Sequence, residues 1–488
     1  MTVTVNLETA PASVDPKAAY QAARLAHWDA VAHQTDEHRR WSGAYYRRLT
    51  HVYKSLASSG RRVLEIGSGL GDIVGALGTP NAVGVDFSPE MVRRAQQKYP
   101  GTTFIQADAH ALDKLEGPFD LIILSDLVND VWDVQTVFEQ VARLSTRRTR
   151  IALNFYSRLW EPALGLAGKM HLARPVLPQN WFTVADVVNL LQLAGFEVIR
   201  RWEEVLWPIE TPLINPLCNR YLVKMWPFRS LALTNFVLAR LQPKRASATP
   251  PRVTVVVPAR NEAGNIPQVF TRVPEMGSGT EIMFVEGHSS DDTWATIQRE
   301  VAAHPERRCQ MFQQTGKGKG DAVRLGYAHA TGDILMILDA DLTVPPEDLP
   351  RFFEAIYEGR GEFINGVRLV YPMEGEAMRF FNLIGNKFFS LAFSWLVGQP
   401  IKDTLCGTKV LWKEDYELVA ANRKYFGDFD PFGDFDLLFG AARLGLRIVD
   451  LPVRYRARTY GETNIQRWSH GWLLLQMVVF AARRLKFA

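Results

Sequence analysis

Two aspartates, Asp339 and Asp341, stand two residues apart at the end of the apolar run 334–338. Side chains two apart on an extended segment point the same way, so a turn there can offer both carboxylates to one cation. Magnesium and manganese are hard, oxygen-seeking ions that take few protein carboxylates and fill their shell with phosphate oxygens. An ion so held would neutralise a departing phosphate. Upstream, Gly316-Lys317-Gly318-Lys319-Gly320 combines glycines with two ammonium groups and could steer a diphosphate. Pro258-Ala259-Arg260-Asn261-Glu262 follows the apolar run 253–257, and Glu286 closes the run 281–285. Downstream, Gly433-Asp434-Phe435-Asp436 opens an apolar helical pattern, where Asp434 could do chemistry or cap the helix. Arg454, Arg456 and Arg458 alternate along an extended stretch, which puts three forked phosphate donors on one face.

A second constellation lies in the first half. Val63-Leu64-Glu65-Ile66 runs into Gly67-Ser68-Gly69-Leu70-Gly71-Asp72. Glycines let a backbone turn sharply and approach a ligand closely. Asp86 ends the next strand pattern, where a carboxylate can accept both ribose hydroxyls of a bound nucleoside. Asp108 ends the third, and Ser125-Asp126 follow the fourth.

The elements that must position these residues alternate. Strands are expected at 62–66, 81–85, 103–106, 119–124, 150–155, 196–202 and 231–241, with helices such as 89–98 and 134–144 between them. A β-α-β rhythm means a largely parallel sheet covered on both faces. The polar, proline-bearing 242–252 reads as a linker. A second series then begins, with strands expected at 253–257, 281–285, 308–313, 334–338, 363–367 and 447–449. The domains expected are a polar, disordered tail and helix over 1–44, an α/β domain over 45–241, the linker, and a second α/β domain over 253–488 ending in an amphipathic segment.

Composition narrows the classes. The chain has 488 residues, 47% apolar, with a net charge of +4. That charge is too small, and an aromatic-basic stripe too absent, to imply nucleic acid. Cys218, Cys309 and Cys406 are scattered, which suits ordinary thiols in a reducing compartment. The start lacks the basic-then-apolar pattern of a signal peptide, and no uninterrupted apolar run is long enough to span a bilayer. Residues 380–397 are apolar except Asn382, Asn386, Lys387, Ser390 and Ser394, four of which recur at i+4 as a narrow polar stripe. Residues 472–482 are apolar apart from Gln476 and lead into Arg483, Arg484 and Lys486. Both stretches are expected either to lie in a membrane interface or to be buried in the domain.

The alternating E-x-G-x-G-x-G of Glu65, Gly67, Gly69 and Gly71 resembles motif I of class I S-adenosylmethionine-dependent methyltransferases, over residues 45–241. The resemblance implies a Rossmann-like sheet binding S-adenosylmethionine at its carboxyl edge, with Asp86 at the ribose, Asp108 at the adenine amino group and Ser125 facing the methyl donor. His110, Tyr156 and His171 are candidate bases, and 155–181, including Gln179-Asn180-Trp181, is expected to cap the pocket.

The P-x-R-N-E of the second half resembles the start of the inverting nucleotide-sugar glycosyltransferases that include dolichyl-phosphate mannose synthase. This implies a GT-A fold, magnesium or manganese on Asp339 and Asp341, and a nucleotide sugar held by Pro258, Ala259, Arg260, Glu262, Glu286, Lys319 and Asp339. It implies catalytic roles for Asp341, Asp434 and Arg458. Glu286-Gly287-His288 departs from the family's D-D-G at the base-contacting position, and Asn464 replaces a lysine in its R-x-x-G-E-S-K. The function expected is sugar transfer to a lipid-linked acceptor, polyprenyl phosphate foremost, with methyl transfer to a glycan, lipid or small molecule. The alternatives are a non-catalytic cofactor-binding or scaffolding first domain, and a hydroxyl acceptor with Asp434 as base. The enzyme is expected on the cytoplasmic face of a membrane, with homo-oligomerisation left open.

Overall fold

A computed structural model of the chain describes residues 15–33, 35–57, 60–170, 177–242, 249–368, 380–423, 433–456, 458, 460 and 467–487. The expected tail 1–14 and most of the linker lie outside the described residues. Two units separate between Leu241 and Gln242.

In the first unit the fully buried runs that lack alternation became central parallel strands, as burial on both faces requires. Its strands are β1 (Val63–Ile66), β2 (Ala82–Asp86), β3 (Thr103–Gln106), β4 (Leu121–Ser125), β5 (Arg150–Tyr156), β6 (Phe196–Glu204) and β7 (Thr234–Leu241). They are ordered β3-β2-β1-β4-β5-β7-β6. Only β7 is antiparallel to its neighbours. Helices α1 (Pro16–His33), α2 (Thr35–Leu56), α3 (Asp72–Ala76), α4 (Pro89–Lys98), α5 (Val134–Arg143), α6 (Glu161–Lys169), α7 (Val184–Leu193) and the single turn α8 (Ile214–Pro216) complete it. Phe138, Phe155 and Phe196 fill one face of the sheet, and Tyr53 and Phe236 the other. The strand order reverses between β1 and β4, so the crevice at their carboxyl ends is where such a sheet takes a ligand. Helix α1, read from sequence as an extension, packs here. Its Val31 and Ala32 are buried with Met91 and, through Trp28, Leu70 of the glycine loop.

The second unit contains β8 (Val253–Ala259), β9 (Thr280–Glu286), β10 (Arg308–Gln313), β11 (Ile334–Ile337), β12 (Phe363–Val367), β13 (Lys409–Trp412) and β14 (Ile448–Pro452). The order is β10-β9-β8-β11-β13-β12-β14. Strand β13 is antiparallel to both neighbours. It was not among the expected strands. Four buried residues give no period to read, and a lysine, Lys409, stands in the run with its ammonium bonded to the carbonyl of Cys406. The helices are α9 (Ile266–Arg272), α10 (Thr293–Ala303), α11 (Lys319–His329), α12 (Leu349–Tyr357), α13 (Phe380–Val397), α14 (Lys413–Ala421), α15 (Asp434–Arg443) and α16 (Arg467–Ala481).

The described part of the α13 polar stripe, Ser390 and Ser394, turns inward. Ser390 and Ser394 donate to the carbonyl of Ile401 at 2.6 and 3.0 Å, and Ile401 N–H donates back to Ser394 at 2.9 Å. The irregular chain after α13 needs those partners, since buried backbone polar groups must pair. The outward face carries apolar Phe388 and Leu391, and neighbouring α16 exposes Trp472, Leu475 and Val479. Among the described residues no helix is long and apolar enough to cross a membrane.

Candidate active sites

In the first unit, β1 brings Glu65 to the carboxyl edge, but the carboxylate turns behind the loop. Its Oε2 accepts Val74 N–H at 2.9 Å in the first turn of α3. Burial pushes its pKa up to about 8. Glu65 therefore anchors the helix rather than pointing outward. Gly67, Gly69 and Gly71 all have positive φ, at 75°, 50° and 74°. At Gly71 a Cβ would meet Phe104 at 2.5 Å, whereas at Gly69 it would meet nothing within 4 Å. Gly69 thus borders open space. Beside it the buried Ser68 hydroxyl has no hydrogen-bond partner.

Asp86 Oδ2 accepts Gly69 N–H at 2.8 Å and Oδ1 accepts Ser88 N–H at 2.9 Å. Burial pushes its pKa up to about 6. Asp108 Oδ1 faces His110 Nδ1 at 2.7 Å, and that hydrogen bond holds the acid below its ordinary range. Its Oδ2 accepts Gln21 Nε2 of α1 at 2.6 Å. Since His110 Nε2 accepts Asp133 N–H at 3.1 Å, both ring nitrogens are engaged and His110 is no free base.

Ser125 Oγ donates to Asn154 Oδ1 at 3.0 Å. Next to it Asp126, at a left-handed φ of 54°, accepts Tyr45 O–H at 2.7 Å and Asn154 Nδ2 at 2.5 Å. Burial pushes Asp126 up to about 6. Tyr45 and Asn154 were not legible as site residues, because nothing local marks them. Tyr156 lies with its ring 6.0 Å from Tyr45 and 6.5 Å from Trp181. Asn180 Nδ2 donates to the carbonyls of Val128 and Val131 at 3.3 and 2.7 Å, pinning the 177–182 segment beside β4. His171 lies outside the described residues.

These raised acids carry a pH prediction. Glu65 keeps its proton up to about pH 8 when folded but loses it near the ordinary 4.5 when unfolded. Its contribution to stability is therefore full below the unfolded value and is lost as pH rises through the folded one. The melting transition of the first unit should fall in temperature from about pH 5 to about pH 8 in the wild type. Glu65→Gln, which keeps an acceptor for Val74 N–H, should reduce that slope and leave the share that Asp86 and Asp126 contribute up to about pH 6. An unchanged slope would remove Glu65 as its source.

In the second unit one arginine joins the expected residues. Arg458 Nη2 donates to Asp341 Oδ2 at 2.7 Å and Nη1 to Glu262 Oε1 at 3.2 Å. Glu262 Oε2 accepts Asn265 Nδ2 at 2.7 Å, and burial pushes its pKa up to about 7 against the pull of Asn265 and Arg458. Lys319 Nζ sits 2.6 Å from Asp339 Oδ1. The backbone at Gly407 closes over this second pair, since a Cβ there would fall 2.0 Å from Asp339 Oδ2. Arg454 and Arg456 are exposed, whereas Arg458 is half-buried against these acids.

Ala259 is buried and accepts Gly287 N–H at 2.9 Å, tying the Pro258-Ala259-Arg260 turn to the end of β9. Arg260 is exposed and Pro258 half-buried. Glu286 is 1% exposed and accepts Ser289 N–H at 2.5 Å and Gln313 Nε2 at 3.1 Å. Burial works against its charge, yet these bonds hold its pKa below the ordinary range. Next to it is a residue the sequence did not flag: Gln314 is 5% exposed and its Oε1 has no partner. Asp434 opens α15, but its side chain lies outside the described residues. The preceding Gly433, at φ 72°, packs against Gly320 so closely that a Cβ would lie 2.4 Å from its Cα. The start of α15 thus abuts the Gly-Lys loop. No group of three or more His, Cys, Asp or Glu side chains suited to a metal ion occurs among the described residues.

Known proteins match along the same division. A methyltransferase-domain family matches residues 63–147, and glycosyl transferase family 2 matches residues 254–409. A dolichol-phosphate mannosyltransferase of Pyrococcus furiosus is 29% identical over 221 residues, covering 44% of this chain and 59% of its own length. An undecaprenyl-phosphate 4-deoxy-4-formamido-L-arabinose transferase of Klebsiella pneumoniae is 33% identical over 219 residues, covering 44% of this chain and 62% of its own length. The chain thus spans about three fifths of the length of these curated relatives. A solved SAM-dependent methyltransferase from Thermotoga maritima shares 17% identity with a TM-score of 0.35, covering 44% of this chain and 99% of that one. Each of the two sheets described above thus carries a region that matches one known family, a methyltransferase domain in the first unit and glycosyl transferase family 2 in the second.

Proposed function

We propose that the second unit moves a sugar from a nucleotide sugar to a polyprenyl phosphate, inverting the anomeric carbon, while the first transfers a methyl group from S-adenosylmethionine. The observation that carries the sugar-transfer reading is the alternation of charge at one place: Glu262, Arg458 and Asp341 in contact, with Lys319 and Asp339 paired. Magnesium or manganese accepts a position with few carboxylates, and would have to draw Asp339 and Asp341 away from Lys319 and Arg458. Asp339 and Asp341 would hold that ion, which when bound neutralises charge on the leaving diphosphate. Lys319 and Arg458 add fixed positive charge for the same phosphates. Glu286 and Gln314 line the position expected for the nucleoside base.

A phosphate acceptor is already anionic at neutral pH, so its oxygen attacks the anomeric carbon without a base. The bond from that carbon to the β-phosphate oxygen breaks, and the nucleoside diphosphate leaves. Asp434 then orients the acceptor. The apolar faces of α13 and α16 suit a bilayer surface, from which such a lipid would be drawn.

In the first unit the open side of Gly69, the unpartnered Ser68 hydroxyl and the acids at the ends of β2 and β3 fit a nucleoside cofactor. The methyl carbon bonds to a heteroatom of the acceptor as its bond to sulfur breaks, the electron pair staying on sulfur. Placement supplies most of the rate. Asp126, hydrogen-bonded to Tyr45, is the acid best placed to orient or deprotonate the acceptor.

The test is a screen of nucleotide sugars with undecaprenyl phosphate in detergent, with and without magnesium or manganese. One donor should yield a lipid-phosphate sugar only when the ion is present. Absence of transfer with every donor, or transfer to water alone, would refute the reading.

A further inference from the structure

The methyltransferase unit displays an apolar surface that its own fold leaves uncovered. Of the twenty-two large apolar side chains exposed in the described residues, ten lie between 207 and 231, the connection from β6 to β7. Leu213 is 85% exposed and Trp226 80%. Leu217, Tyr221, Phe228 and Leu231 accompany them. Leu159, Leu166 and Met170, exposed around α6, lie on the connection that leaves β5 at the same edge. Such a concentration is unlike the single scattered apolar residues normal on a soluble surface.

This connection is built, not slack. Asn219 is buried and accepts Leu206 and Trp207 N–H, both at 2.8 Å, while its Nδ2 donates to Trp207 O at 2.7 Å. Asn215 Nδ2 donates to the carbonyls of Trp207 and Ile209, both at 3.1 Å. Buried Lys224 pairs with buried Glu204, which also takes Arg48 at 3.0 Å. Leu213 holds a φ of 65°, a conformation costly for a residue with a Cβ. The backbone is fixed so as to present apolar side chains to the outside instead of letting them collapse.

Location and charge identify what covers them. The connection ends at Thr234, which pairs with Tyr156 and lies 3.5 Å from the Tyr45 hydroxyl that donates to Asp126. Trp160 Nε1 donates to Leu231 O at 2.9 Å, joining the two apolar stretches at the catalytic edge. The charged groups on this rim lean basic: Arg158, Arg220 and Arg229 are exposed against the exposed acid Glu161, and the acid Glu210 is paired with Arg47. Aromatic and aliphatic side chains ringed by arginine fit the headgroup and upper acyl region of an anionic bilayer.

We infer that the methyltransferase unit docks on an anionic lipid surface through residues 207–231 and 159–170, and that its methyl acceptor is borne on a lipid in that surface. The docking half stands apart from the sugar-transfer reading and from α13 and α16. The acceptor half rests on methyl transfer by the first unit.

The test is peptide-resolved hydrogen exchange of the full chain, alone, with phosphatidylcholine vesicles and with vesicles containing phosphatidylglycerol. Peptides over 207–231 should exchange about tenfold more slowly with the anionic vesicles only. Leu213→Ser with Trp226→Ser should remove that protection without changing the melting temperature, both side chains being on the outside. Equal exchange with and without vesicles would overturn the proposal. So would protection that appears without lipid and grows with protein concentration, which would assign the surface to a second copy. Peptides over 387–397 and 472–481 report separately on the second unit. For the acceptor, labelled methyl from S-adenosylmethionine, offered with a total membrane lipid extract, should enter the organic phase. Label confined to the aqueous phase would refute a lipid-borne acceptor.

Discussion

If the second unit transfers sugar as proposed, Asp341→Ala and Asp341→Asn should each reduce that transfer by about a thousandfold or more and leave any S-adenosylmethionine binding intact. Asp341 has two distinct duties. Its Oδ1 accepts Thr343 N–H at 3.1 Å and Thr343 O–H at 2.8 Å, which shapes the turn. Its Oδ2 meets Arg458 at 2.7 Å and is the oxygen available to a cation. The asparagine variant can keep the turn through its carbonyl oxygen while losing the charge, so it separates folding from chemistry. Cofactor binding is spared because the two units divide at Leu241 and the loop after β1 belongs wholly to the first.

The same variants decide between two sources of positive charge. If an ion on Asp339 and Asp341 is essential, chelation lowers the wild-type rate to that of the variants, and adding it back restores only the wild type. If Lys319 and Arg458 carry the phosphate charge alone, chelation changes little, and Asp341→Asn acts only through a mis-set Arg458. Full activity of the wild type in chelator would end the metal assignment.

What the sequence disclosed follows from how local each signal is. The run from Val63 through Gly71 is strand, turn and helix start in nine residues, so both its place and its glycines could be read directly. The aspartate pair after β11 is equally local. Its partner was less local: Arg458 follows Asp341 by 117 residues, and it was the family resemblance, not the spacing, that singled Arg458 out from Arg454 and Arg456. Gln21 reaches Asp108 across 87 residues from a helix read as a mere extension. Strand β13 was missed because its short run opens on a lysine, Lys409, whose burial only the fold reveals, whereas the equally short β1 and β11 lead into recognisable loops. Ser390 and Ser394 had the spacing of a solvent-facing stripe. The demand of the Ile401 backbone for partners turned them inward, and no pattern within the helix announces that.

Gly69→Ala weakens S-adenosylmethionine about ten- to hundredfold while costing only ~1–2 kcal/mol of stability. Gly71→Ala does the reverse. At both positions φ is positive, so both pay the left-handed penalty of a Cβ. They differ in what the new methyl meets. At Gly71 it lies 2.5 Å from the ring of buried Phe104, and the core must shift, costing ~2–4 kcal/mol in all. At Gly69 it enters space that no protein atom occupies within 4 Å. Beyond the left-handed penalty that both variants share, the protein has room for that methyl, so a loss of binding larger in Gly69→Ala than in Gly71→Ala points to an occupant displaced. Calorimetric titration alongside thermal melting of both variants reads the two effects apart. Undiminished affinity in Gly69→Ala would mean that the open side of the loop is not where the cofactor lies, and the acids at the ends of β2 and β3 would lose their assignment with it.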